Sequence, residues 1–186
     1  DAIDEAVAAE VLHEDAAEKA AGAVVLDTAA KELIVEAIVL EAAAQKKKAV
    51  WILDRPNPLG RPVEGLRLRA GWESFVGAGA LPMRHGLTLG ELARWFVATL
   101  RLEVDCQVVT MKDWQPARAP GFGWPLGKRT WINPSPNAPN LSMARCYPGT
   151  VMLEGTTLSE GRGTTRPLEM LGAPDLEPRA LLAEME

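Results

Sequence analysis

Cysteine and histidine are scarce in this chain, two of each in 186 residues. Zinc takes three or four ligands, so Cys106 and Cys146 cannot form a site by themselves, and only His13 and His85 could join them. No metal and no other cofactor is expected. The two thiols read as buried, with a disulfide as the alternative. An excess of positive charge is lacking too. Twenty Lys and Arg against twenty-five Asp and Glu leave a net charge of −5, which gives no electrostatic reason to expect a nucleic-acid partner. Long apolar runs are missing as well, because charges interrupt them every few residues and leave no membrane-spanning segment. The opening residues Asp1-Ala2-Ile3-Asp4-Glu5 have neither the basic nor the apolar region of a signal peptide. What remains is a chain 47% apolar, enough to bury a core in one domain or one and a half.

Residues 1–48 are rich in Ala, Glu and Lys and read as a helical amino-terminal segment of two or three helices. Ile34, Ile38 and Ala42 fall on one side of such a helix. Val24-Val25-Leu26, between Gly22 and Asp27, can instead form a short strand. Lys46, Lys47 and Lys48 suit a helix end, where cations offset exposed carbonyls. From 49 to 186 the expectation is an α/β domain with motif-bearing loops. Ala49 to Leu53 is a continuous apolar run, as in a strand buried on both faces, and Asp54 closes it. The loop from Asp54 to Gly60 holds two prolines that forbid regular pairing. Open α/β sheets take ligands outside the carboxyl ends of their strands, which makes Asp54, Arg55 and Asn57 candidate substrate contacts. A local Asp54–Arg55 salt bridge is the plainer alternative.

Thr88-Leu89-Gly90-Glu91 has the form of a capping box, opening a helix to about Leu100 with Leu92, Trp95, Phe96 and Leu100 on its apolar face. Leu102 to Met111 ends in a second buried strand at Val108-Val109. Lys112 to Asn140 is irregular, with six prolines and the three tryptophans Trp114, Trp124 and Trp131. A stretch that long is functional or disordered, and tryptophan argues against disorder. Its indoles can stack on sugar rings or clamp the loop to the domain. A short helix at Arg179 to Met185 follows near the end. Between Leu153 and Pro167 lie two carboxylates, Glu154 and Glu160, among small residues, hydroxyls and the cations Arg162 and Arg166. Carboxylates can exchange protons and arginines can hold an anion in fork geometry. The same residues can also pair with one another in an ordinary solvated turn.

Eight segments, in order, resemble the bacterial exo-β-N-acetylmuramidase NamZ family. They are Leu-Asp-Arg-Pro-Asn-Pro-Leu-Gly at 53–60, Val-Glu-Gly at 63–65, Ser-Phe-Val-Gly at 74–77 and Met-Arg-His-Gly-Leu-Thr-Leu-Gly-Glu-Leu-Ala at 83–93. Pro-Ser-Pro-Asn-Ala-Pro at 134–139, Tyr-Pro-Gly-Thr at 147–150, the 153–167 stretch and Gly-Ala-Pro at 172–174 complete the series. The resemblance runs from about 40 to 174. It implies an α/β, Rossmann-like layered domain with a long irregular Trp- and Pro-rich segment, joined to a smaller domain with the site in the cleft between. An amino-terminal half carrying Pro-Glu-His-Gly in many members finds no counterpart, and the carboxyl-terminal domain is expected to be largely absent. The chain therefore reads as part of a two-domain enzyme.

The resemblance implies release of terminal N-acetylmuramic acid from the non-reducing end of peptidoglycan fragments, and a periplasmic or secreted setting. It makes a peptidoglycan-derived saccharide the partner and leaves a homo-oligomer open. Glu154 and Glu160 are the candidates for acid and for base or nucleophile, in either order. Arg162, then Arg84, matches the lactyl carboxylate of that sugar, while Ser135 and Asn137 match its acetamido or hydroxyl groups. His85 can orient the sugar or brace its loop, Glu64 is ambiguous in the same way, and Tyr147 joins the binding set. A non-catalytic muropeptide-binding module or an assembly subunit is the alternative.

Overall fold

The computed structural model describes residues 24–26, 32–74, 77–115, 124, 127, 130–133, 135 and 137–185. The helices expected before residue 24, and His13, lie outside the described residues. Two compact units divide the chain, Asp1–Gly123 and Trp124–Glu186. Helix and strand on either side of the expected 48/49 boundary belong to the first.

The first unit is built on a parallel sheet of order β1-β2-β5, from β1 (Val24–Leu26), β2 (Val50–Leu53) and β5 (Cys106–Val109). Parallel neighbours need long crossovers. Helix α1 (Glu32–Lys46) supplies the first. The second contains the antiparallel pair β3 (Glu64–Arg67) and β4 (Pro82–Arg84), then helix α2 (Leu89–Thr99). This is an α/β fold. The apolar run of β2 is the central strand, with Val50, Ile52 and Leu53 buried. β5 departs from expectation: it lies at the edge of the sheet and its residues are half-buried or exposed.

Helix α1 buries Ala37, Leu40 and Ala43, not the expected Ile38 and Ala42, which are exposed, Ile38 by 50%. The reason lies in its composition: Leu33 to Ala44 is apolar almost all round, so helical spacing alone does not choose a face. The side chain of Ile34 lies outside the described residues. α2 follows the expectation, with Leu92, Ala93 and Phe96 buried against Leu40, Val50 and Ile52. Trp95 meets Phe96 edge to face at 5.1 Å and is core, as its spacing predicts. Neither cysteine forms a disulfide, and both are only half-buried, against the expectation of burial. Among the described residues no helix is long and apolar enough to cross a membrane.

The second unit begins in the irregular segment. Trp124 is buried against Leu141, Ala144 and Trp131, and the two indoles stand edge to face at 5.4 Å. Trp131 Nε1 also donates to the Ala138 carbonyl at 3.0 Å, so these two tryptophans clamp the segment onto its own unit. Helix α3 (Leu141–Thr150), unanticipated in the sequence, opens on Asn140, whose side chain accepts from the Met143 amide at 2.9 Å. A 3-10 turn (Val151–Gly155) and helix α4 (Pro178–Met185) complete the unit.

Phe96 is fully enclosed where α2 meets the sheet. Phe96→Ala should cost about 3 to 5 kcal/mol, read as a lower urea midpoint. The exposed Ile38→Ala should change the midpoint far less.

Candidate functional site

The expected site residues fall into two groups, one in each unit. In the first, Asp54, Arg55, Asn57, Glu64, Arg84 and His85 lie after strand β2 or along the β3–β4 pair, before α2. Asp54 is committed to holding that region together. Its Oδ1 accepts from the Gly90 amide at 2.7 Å and from the Arg55 amide at 2.9 Å, and its Oδ2 from the Thr88 hydroxyl at 3.2 Å. The start of α2, a location where many α/β proteins bind anions, is thereby filled with the chain's own carboxylate. Thr88 and Glu91 form the expected capping box.

Asn57 donates to the Leu87 carbonyl at 3.0 Å and accepts from the Leu59 amide at 2.9 Å. Arg84 donates through Nε and Nη2 to the Leu59 carbonyl and through Nη1 to Glu64 at 2.5 Å. The proline loop is thus bound to β4 and to the residues entering α2. Arg61, absent from the expected set, grips Glu91 in a two-pronged fork at 2.6 and 2.9 Å and the Gly86 carbonyl at 3.2 Å. Its partner stands thirty residues on, beyond any short-range motif. His85 Nδ1 accepts from the Leu87 amide at 3.2 Å.

The second group lies in the unit that starts at Trp124. Arg162 joins both candidate carboxylates: it pairs with Glu154, and its Nε lies 2.6 Å from Glu160 Oε1. Glu154 and Arg162 are exposed. Glu160, 8% exposed, is the only buried ionisable residue among the described residues. Its backbone is pinned because Leu168 donates to the Glu160 carbonyl at 2.6 Å, while Ser159 and Gly172 exchange a pair of backbone bonds. Gly161 follows at φ +77, with the Arg166 carbonyl 3.1 Å from where a Cβ would stand, so a side chain there is strained. Leu168, 1% exposed, is buried with Ala138 and Met143 and anchors the loop beside α3.

Ser135 and Asn137 form a tight turn, with Ser135 Oγ accepting from the Asn137 amide at 3.4 Å. Tyr147 is on α3, 38% exposed. Glu169, missed in the sequence, takes Arg166 at 3.1 Å and the Ser142 hydroxyl at 3.0 Å.

Three groups titrate below their ordinary values. Burial pushes His85 down. Burial alone would raise Glu91, but the Arg61 fork and the Thr88 amide overcome it. Arg166 foremost, with Ser142, holds Glu169 down against a weaker effect of burial. In each case the unfolded chain binds protons that the folded chain refuses, so stability falls as pH falls. His85 acts first, from about pH 6.5 downward. The two carboxylates follow below about pH 4.5. Thermal melts across pH 8 to 3 should show two steps, with His85→Gln removing the upper and Glu91→Gln reducing the lower.

Comparison with known proteins places these features. Residues 33–142 match the family described as exo-β-N-acetylmuramidase NamZ, N-terminal, and residues 145–186 the corresponding C-terminal family. The first match begins earlier than the expected residue 40. The peptidoglycan β-N-acetylmuramidase NamZ of Bacillus subtilis (strain 168) is 40% identical over 131 residues, 70% of this chain and 31% of that protein. Crystal structures of two DUF1343 family proteins of Bacteroides fragilis NCTC 9343 superpose with TM-scores of 0.73 and 0.76 at 32% and 30% identity. They cover 84% and 88% of this chain, which spans 45% and 44% of theirs. The chain thus spans under half the length of each of these relatives. With residues 33–142 matching its N-terminal part and residues 145–186 its C-terminal part, the chain belongs to the NamZ family.

Proposed function

We propose that this chain is part of a peptidoglycan glycosidase that releases terminal N-acetylmuramic acid from the non-reducing end of peptidoglycan fragments. The reaction class is taken from the Bacillus subtilis relative, named a peptidoglycan β-N-acetylmuramidase. The observation in this chain that supports it best is Glu160, a buried carboxylate on a pinned backbone, bridged by Arg162 to a second carboxylate, Glu154. Glycoside hydrolysis needs a proton donor for the leaving oxygen and a base or nucleophile for the sugar carbon. Glu154 and Glu160 take these roles in either order. The sugar's own acetamido oxygen can replace the nucleophile, and one protein carboxylate then suffices.

The remaining groups suit the other parts of the sugar. The lactyl carboxylate asks for a guanidinium, and Arg162, exposed on one side, can exchange its outer partner Glu154 for it. Arg84, whose three nitrogens each bond Leu59 or Glu64, is the second choice. The acetamido and hydroxyl groups ask for neutral donors and acceptors, as in Ser135, Asn137, Tyr147 and His85, with Asp54, Arg55, Asn57 and Glu64 shaping the loop around His85. A second reading is favoured by Arg162 itself. One cation offsetting both carboxylates also suits a muropeptide-binding module without catalysis.

The two readings separate in one assay, release of free N-acetylmuramic acid from muropeptides. Glu160→Gln and Glu154→Gln should each lower the rate by about 100-fold or more if they act in proton transfer. Full activity in both variants would sink the assignment. Calorimetry showing saccharide binding without turnover selects the binding module.

A further inference from the structure

Arg61 touches Gly86 from two sides. Its guanidinium donates to the Gly86 carbonyl at 3.2 Å, and its own carbonyl would stand 2.3 Å from a Cβ on Gly86, whose φ is +70. No side chain fits there. The same guanidinium is locked on Glu91, which also accepts from the Thr88 amide at 2.9 Å. The segment between β4 and α2 is therefore pinned around one residue, and His85 immediately precedes that residue.

The consequence for the imidazole is a fixed tautomer. Nδ1 accepts the Leu87 amide, so it carries no proton, and in the neutral ring the hydrogen sits on Nε2. Nε2 has no hydrogen-bond partner among the described residues. Elsewhere in the same unit Arg61 pairs with Glu91, Arg84 with Leu59 and Glu64, and Asn57 with Leu87. The ring therefore offers one oriented, uncharged N–H.

We propose that Arg61 is a positioning residue that holds His85 as its Nε2–H tautomer, presenting that N–H as a donor to a neutral oxygen of the substrate, a hydroxyl or an acetamido carbonyl. This rests on the saccharide reading above and deepens it. A neutral donor suits an uncharged acceptor, whereas a carboxylate or phosphate is better served by a guanidinium. The fork geometry is the reason for arginine: the ammonium of a lysine can meet Glu91 or the Gly86 carbonyl, but lacks the rigid, spaced donors that hold both.

The chain has two histidines, so in a His13→Gln background His85 is the single imidazole and its ring nitrogens can be followed by long-range nitrogen-15 NMR at neutral pH. The expected spectrum is one tautomer, protonated on Nε2. Arg61→Met should produce a mixture of tautomers, and Arg61→Lys should restore the lock only in part. A protonated Nδ1 in the parent, or an unchanged single tautomer in both Arg61 variants, overturns the proposal. If Arg61→Met does not fold, Arg61→Lys decides. If neither folds, Glu91→Gln decides, since it weakens the fork while keeping a residue type that serves a capping box. In the second arm N-acetylmuramic acid is titrated in. It should shift the Nε2 resonance, with a Kd about tenfold higher in Arg61→Lys. A locked tautomer that ignores the sugar refutes the saccharide acceptor and leaves the clamp standing. A sugar response without a lock refutes the clamp alone.

Discussion

The first unit depends on the bonds made by the Asp54 carboxylate. It ends the central strand and at once receives the Gly90 amide and the Thr88 hydroxyl, joining strand to helix across more than thirty residues of intervening chain. Everything between them, the proline loop, the β3–β4 pair and the His85 segment, is an excursion that begins and ends at that junction. Arg61, Asn57 and Arg84 then tie the excursion back on itself. The loop is rigid because its polar groups are satisfied internally, and its prolines reduce the freedom lost on folding.

The second unit handles charge differently. There the cations and carboxylates lie close in sequence, Glu154 and Glu160 with Arg162, Arg166 with Glu169. Backbone bonds close the loop, and Leu168 fastens it to the small core beside α3. Exposed ion pairs contribute little to stability, so packing at Leu168 and the bond to the Glu160 carbonyl hold the shape. The guanidinium of Arg162 is bound on one side to an enclosed acid, Glu160, and on the other to an open one, Glu154.

What the sequence made legible was local. The capping box at Thr88 and Glu91 involves residues three apart, and the apolar run of β2 marks a central strand wherever it occurs. Helix α1 was legible as a helix but not as a face, since its apolar residues leave no polar side to orient it. Helix α3 went unread because Pro148 and Gly149 look like a break, although Asn140 ahead of Leu141, Met143 and Ala144 is a start signal. The half-burial of β5 follows from its place at the sheet edge, which no local pattern encodes. The Arg61–Glu91 fork was illegible for the same reason, being a product of topology. The pairing of Arg162 with both glutamates, by contrast, was the plainer of the two readings offered for that stretch.

Leu168 combines two demands that no single amino acid meets well. Its backbone sits at φ +62, a conformation that costs a residue with a Cβ about 1 to 2 kcal/mol, while its side chain is almost wholly enclosed. Glycine or asparagine would relax the main chain and empty the core; valine or isoleucine would fill the core and worsen the main chain. Any change at this position therefore trades one fault for another, and the turn presenting Glu160 is closed to gradual drift through it.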